Sequence, residues 1–101
     1  MIDLAPHDLE KVRSILRKHA GEREVRAFGS RVTGRARRYS DLDLAIMGER
    51  PLPWQTVARL REAFEESDLP IVVDVIDWAA TSEEFRRAVV QHMEVVCAGA
   101  R

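Results

Sequence analysis

Two stretches decide the reading of this chain: Gly29-Ser30-Arg31-Val32-Thr33-Gly34 and, a few residues on, Ser40-Asp41-Leu42-Asp43-Leu44. The first is a glycine turn followed by a hydroxyl. The second places two carboxylates one residue apart. Side chains two apart on a strand share a face, so Asp41 and Asp43 point together while Leu42 and Leu44 turn into the core. Converging carboxylates repel unless positive charge lies between them, and a hard divalent cation such as magnesium satisfies them. A glycine turn opening a helix exposes backbone N–H groups to phosphate. The combination points to a magnesium-dependent site for a nucleoside triphosphate.

A third carboxylate belongs with these two. Ile71-Val72-Val73-Asp74-Val75-Ile76 is apolar and mostly β-branched except for Asp74. Such composition predicts a strand buried on much of both faces. A carboxylate there must be hydrogen-bonded, metal-bound or at a wet edge. Facing Asp41 and Asp43, it would complete a set able to hold one or two magnesium ions, and it is the candidate to orient or deprotonate an acceptor hydroxyl. Taken singly, each piece has a plainer reading: Gly29-Ser30 as an ordinary turn, Ser40-Asp41 as a cap or turn, Asp74 as a satisfied strand-end residue.

The surrounding pattern alternates helix and strand. A first helix is expected from a cap at Asp8 to about His19, with Leu9, Val12, Ile15 and Leu16 as its apolar stripe and Gly21 at its exit. Val25, Ala27 and Phe28 read as a strand, Ser30 to Gly34 as one or two helical turns, and Asp41 to Gly48 as a second strand. Pro51 and Pro53 punctuate a loop before a helix carrying Val57, Leu60, Arg61 and Phe64. After the strand containing Asp74, a last helix is expected from Thr81, with Glu84 reaching back to it. Phe85, Ala88, Val89, His92, Met93 and Val96 form its apolar side. The expected fold is α/β: a small mixed β-sheet backed by helices in a single domain over residues 1–101.

Composition narrows the class. Hydrophobic residues make up 46% and charged residues 33%, which fits a folded chain rather than a disordered one. Net charge is −1, so bulk charge gives no reason to expect direct nucleic-acid binding. Cys97 is the sole cysteine, which excludes an intrachain disulfide, and it is expected as a small apolar residue near a helix end. No secretory signal or membrane-length apolar run is visible, so the expected location is cytoplasmic. At 101 residues the chain lacks room for a large acceptor-binding domain, and an acceptor would bind at an exposed site or arrive with a partner.

The remaining candidates carry less. Arg31 can pair with a triphosphate or with an aspartate, and an orienting role is slightly favoured. Arg35, Arg37 and Arg38 form a basic patch that suits either solvent or an anionic contact. His7, His19 and His92 have no zinc spacing. Trp54 and Trp78 are expected to pack into the core, and Tyr39 to anchor its loop.

Gly29-Ser30-Arg31-x-x-Gly34, Ser40-Asp41-x-Asp43-Leu44 and the separate strand residue Asp74 resemble the minimal nucleotidyltransferases of the DNA polymerase beta-like superfamily. The resemblance covers nearly the whole chain and implies the polymerase beta-like fold. It implies that Gly29 and Ser30 hold the terminal phosphates of ATP, with Arg31 and Ser40 beside them. It also implies that Asp41 and Asp43 bind both magnesium ions and that Asp74 completes the catalytic metal site. Val32-Thr33 fills a stretch in which family members often carry arginine or alanine. Stand-alone members resemble the antitoxin half of pairs whose toxin is a helical HEPN-domain ribonuclease, and some transfer AMP to a toxin tyrosine. The expected function is therefore AMP transfer from ATP to a partner hydroxyl. The alternatives are a non-enzymatic antitoxin acting by occlusion, or transfer to a small molecule or RNA with help from a second chain. A homo-oligomer is compatible with all three.

Overall fold

The computed structural model describes residues 1–99. The first helix, α1 (Pro6–His19), begins one turn earlier than a cap at Asp8 would allow. Pro6 opens it, where a missing N–H costs nothing, and Asp8 lies buried inside the first turn. The chain then forms β1 (Val25–Phe28), the single turn α2 (Ser30–Thr33), β2 (Leu42–Ile46), α3 (Trp54–Glu66) and β3 (Val73–Asp77). A 3-10 turn at Trp78–Ala80 leads into α4 (Glu83–Val89), a second 3-10 turn at Val90–His92, and β4 (Glu94–Cys97).

The last of these elements corrects the sequence reading. The helical spacing from Phe85 to Val96 predicts one continuous helix, but Met93 turns to extended backbone and Val96 and Cys97 enter a strand. The cause is tertiary. The second edge of β1 carries main-chain groups that need partners, and Glu94 to Cys97 supply them. The helix start also moves by one residue. Ser82, not Thr81, caps α4, its Oγ accepting from the Phe85 N–H at 3.1 Å. Thr81 Oγ1 instead donates to the Trp78 carbonyl at 2.6 Å.

The sheet is mixed, with strand order β3-β2-β1-β4. β1 pairs antiparallel with β2 and β4, and β2 pairs parallel with β3 through the α3 crossover. Val12 and Leu16 of α1 and Leu60 and Phe64 of α3 pack on one face of the sheet. They meet Val25, Ala27, Leu42, Leu44, Ile46, Val73, Val75 and Val96, so Leu42 and Leu44 turn inward as their parity requires. On the other face Phe85 of α4 packs edge-on against Phe28 and Trp78.

Two apolar expectations fail. Trp54 is 75% exposed at the start of α3, because Leu60 and Phe64 fill the helix's inward side. Val72 is 65% exposed, because β3 is an edge strand and is not covered on both faces there. Tyr39 is also exposed, with the Arg38 guanidinium 5.3 Å from its ring centre. Among the described residues no helix is long and apolar enough to cross a membrane.

Candidate active site

Strand register builds the site. Phe28, the last residue of β1, lies opposite Asp43 of β2. The chain then turns through Gly29 (φ 81°, ψ −158°) into α2. A Cβ at Gly29 would sit 2.3 Å from Asp43 Oδ2. Only glycine meets both demands, since it tolerates positive φ and lets the backbone lie against a carboxylate. The Gly29 carbonyl accepts from the N–H groups of Val32 and Thr33 at 3.0 and 3.1 Å. The N–H groups that open a helix have no intrahelical acceptor, so the turn at Ser30 and Arg31 presents donors beside Asp43. Gly34, at φ 82°, closes the turn with its N–H on the Ser30 carbonyl.

The parallel ladder sets the second relation. Asp43 is in register with Asp74 on the neighbouring strand, at the interstrand spacing of about 4.8 Å. Asp41 precedes Asp43 by two residues and is exposed, as is Asp74. Asp43 is half-buried, and its carboxyl is raised from 3.8 to about 6. Burial is the largest cause, followed by the negative charge of Asp74 and then that of Asp41. Each of the other two carboxylates therefore acts on the central one.

These residues fit a divalent cation by their chemistry: they are hard oxygen donors, and the charges of Asp74 and Asp41 raise the carboxyl of Asp43. Among the described residues no group of three His, Cys, Asp or Glu side chains is gathered at ion-ligand spacing. Asp43 and Asp74 are neighbours on one ladder and Asp41 lies just before it, so the side chains must turn inward to share an ion.

Arg31 occupies the orienting role. It is 6% exposed, and its guanidinium donates to four main-chain carbonyls: Asp3 at 2.7 Å, Ser40 at 2.9 Å, Arg38 at 3.1 Å and Arg37 at 3.4 Å. With its fork spent on carbonyls, Arg31 holds the 37–40 loop against α2. Ser40 is also used within the chain. Its Oγ accepts from the Arg37 N–H at 2.8 Å, and its own N–H donates to the Arg37 carbonyl at 3.1 Å. Arg35, Arg37 and Arg38 stay exposed around this loop.

The sequence reading missed how β3 is held. Arg61 reaches from α3 to the free edge of β3 and donates to the Val75 carbonyl at 3.0 Å. Its place among the apolar positions of α3 was the available signal. Asp77 ties the far end of β3 to the loop before α3, its carboxylate accepting from the N–H groups of Leu52 at 2.8 Å and Ala79 at 3.2 Å.

A glycine turn laid against one strand carboxylate, with two more beside it on a mixed sheet, defines a nucleotidyltransferase. The chain belongs to the polymerase beta nucleotidyltransferase family, whose model matches residues 10–100. It is 51% identical over 88 residues to a Haemophilus influenzae protein named "Probable protein adenylyltransferase MntA", covering 87% of this chain and 77% of that one. A protein of solved structure named "putative minimal nucleotidyltransferase" is 31% identical, with a TM-score of 0.66 over 89% of this chain and 98% of its own. The fold also matches a chain in the complex of a tri-AMPylated Shewanella oneidensis HEPN toxin with an MNT antitoxin. That match has 21% identity and a TM-score of 0.59, covering 91% of this chain and 71% of the other.

Proposed function

We propose that this chain transfers AMP from ATP to a hydroxyl of a HEPN-domain partner and thereby acts as the antitoxin of that partner. The observation that carries the proposal is the packing of the Gly29 turn on Asp43, with Asp74 locked beside Asp43 by strand register. The adenylyltransferase identity of a relative at 51% supplies the donor, and the HEPN toxin complex suggests the acceptor.

In this reading the N–H groups at Ser30 and Arg31 hold the terminal phosphates beside β1. Asp41 and Asp43 lie below the α-phosphorus. Asp74, on the opposite flank, orients the acceptor hydroxyl. The hydroxyl oxygen forms a bond to the α-phosphorus as the bond from that phosphorus to the pyrophosphate oxygen breaks. The hydroxyl proton passes to the Asp74 carboxylate and on to water, and pyrophosphate leaves over the glycine turn. Magnesium held by Asp41, Asp43 and Asp74 would supply neutralisation of the phosphates and a lowered pKa for the hydroxyl.

The test is mass measurement of the co-purified HEPN-domain partner, with and without ATP and magnesium. Addition of one or more AMP masses is expected with wild type and none with Asp74→Asn. If Asp74→Asn neutralises the partner as fully as wild type and no AMP mass appears on it, occlusion is the function.

A further inference from the structure

The loop that delivers Asp41 carries Arg35, Arg37 and Arg38, all exposed, followed by the exposed Tyr39. Among the described residues none of these three guanidiniums is paired with a carboxylate or a carbonyl, and Arg38 lies over the Tyr39 ring at 5.3 Å. Elsewhere the chain spends most of its arginines. Arg13 and Arg61 donate to strand carbonyls, Arg86 donates to the Trp78 carbonyl, and Arg26 and Arg87 pair with glutamates. We propose that Arg35, Arg37 and Arg38 form a docking surface for an acidic segment of the partner protein. The inference takes the identity of the partner from the transfer reading above and adds the surface on which that partner is held.

The backbone under these side chains carries the argument. Arg31 holds the carbonyls of Arg37, Arg38 and Ser40 from within, and Ser40 Oγ accepts from the Arg37 N–H at 2.8 Å. The Arg35 N–H donates to the Ser30 carbonyl at 3.1 Å, which ties the start of the loop to α2. The bonds that fix the loop for Asp41 therefore also hold three cations close together. Little main-chain freedom is left to lose when a ligand arrives. Each guanidinium fork can take a carboxylate with two parallel bonds, so the patch suits a segment bearing several aspartates or glutamates. A nucleic acid fits less well. Its phosphates run on as a chain of charge and need a basic track. This patch stops at Asp41, with Asp43 and Asp74 on the strands beyond, and the whole chain has a net charge of −1. A short acidic segment ends where the patch ends. Held by the loop before β2, it brings the partner to the rim of the site and leaves Asp74 on β3 open to the acceptor.

The test is titration calorimetry with the HEPN-domain partner, in chelator and without nucleotide. The variant is the triple Arg35→Gln, Arg37→Gln and Arg38→Gln, which leaves the main-chain bonds of the loop and the Arg31 brace in place. Its Kd for the partner should rise tenfold or more at about 0.1 M salt. Wild type should lose a similar factor when salt is raised to about 1 M, and the variant should lose little more. Three Arg→Lys replacements should recover part of the affinity. Arg50→Gln with Arg59→Gln, two exposed arginines elsewhere, should leave Kd within twofold of wild type. An unchanged Kd in the triple variant, or an equal loss in the Arg50 and Arg59 control, overturns the docking surface. A loss confined to ATP affinity gives the patch to the donor phosphates, and a loss confined to a single-stranded RNA probe gives it to nucleic acid; either overturns the proposal. If the patch governs partner binding but the partner gains no AMP mass, the transfer reading fails and the docking surface stands. A wild type that binds no HEPN-domain partner overturns both.

Discussion

Asp43 bears the electrostatic cost of the site. Between its ordinary value of 3.8 and about 6, the folded chain holds a proton there that the unfolded chain has released. Without metal, stability therefore falls as pH rises across that window and is lowest above about pH 6. Asp43→Asn removes the repelled charge and keeps the shape. In chelator at pH 7 it should stabilise the chain by about 1 kcal/mol, after discounting for solvent screening of this half-exposed group. Thermal melts of both proteins at pH 4.5 and 7 check this. The wild-type gain on acidification should disappear in the variant, and equal pH dependence in the two would contradict the electrostatic assignment. Gly29 faces the opposite limit. It has no side chain to lose, and any side chain gained would meet Asp43 Oδ2 on a backbone that already has positive φ.

At the scale of elements, the loop before β2 is organised by one buried side chain. Arg31 reaches carbonyls at both Asp3 and residues 37–40, which joins the segment before α1 to the turn that delivers Asp41. Arg31→Ala would remove the charge-assisted bonds to the Asp3, Arg38 and Ser40 carbonyls and should cost about 2 kcal/mol. Arg31→Lys should recover only part of this, since one ammonium lacks the planar fork. Denaturant melts measure both. ATP affinity should fall with them through displacement of Asp41, even though Arg31 is assigned no phosphate contact. The loop also shows where sequence reading stops. The placing of Asp43 beside Asp74 was legible because a carboxylate in an apolar strand has few structural explanations and strand parity fixes its face, whereas Asp41 lies one residue before β2. The bracing by Arg31 was only half legible, because an arginine beside a phosphate turn suits either anion or carbonyl. β4 was not legible. Phe85 to Val96 keep a helical period, and the cause of the break is the unpaired edge of β1, far away in sequence.

The whole molecule presents its site on one open flank of a four-stranded sheet, with α1 and α3 on the opposite face. Among the described residues, the buried Arg31 is turned to main-chain carbonyls and Arg61 to the outer edge of β3, so neither guanidinium is spent on a carboxylate of the cluster. ATP alone would meet three carboxylates of its own sign. Titration calorimetry should therefore find ATP binding at least tenfold tighter with magnesium than with chelator, and Asp43→Asn should shrink that difference. Equal affinity in the two conditions would remove the metal from the site.

The parallel pairing of β2 with β3 also sets the order in which the site comes into being. β1, α2 and β2 are close in sequence, so the glycine turn can settle on Asp43 early. Asp74 reaches its place only after α3 has crossed the sheet, a closure that pays loop entropy before it gains contacts. The repulsion between Asp74 and Asp43 therefore arises only as β3 docks and completes the core with Val73 and Val75. An ion that settles the cluster acts after the folding barrier. It would lengthen the lifetime of the native state and leave the speed of reaching that state nearly unchanged.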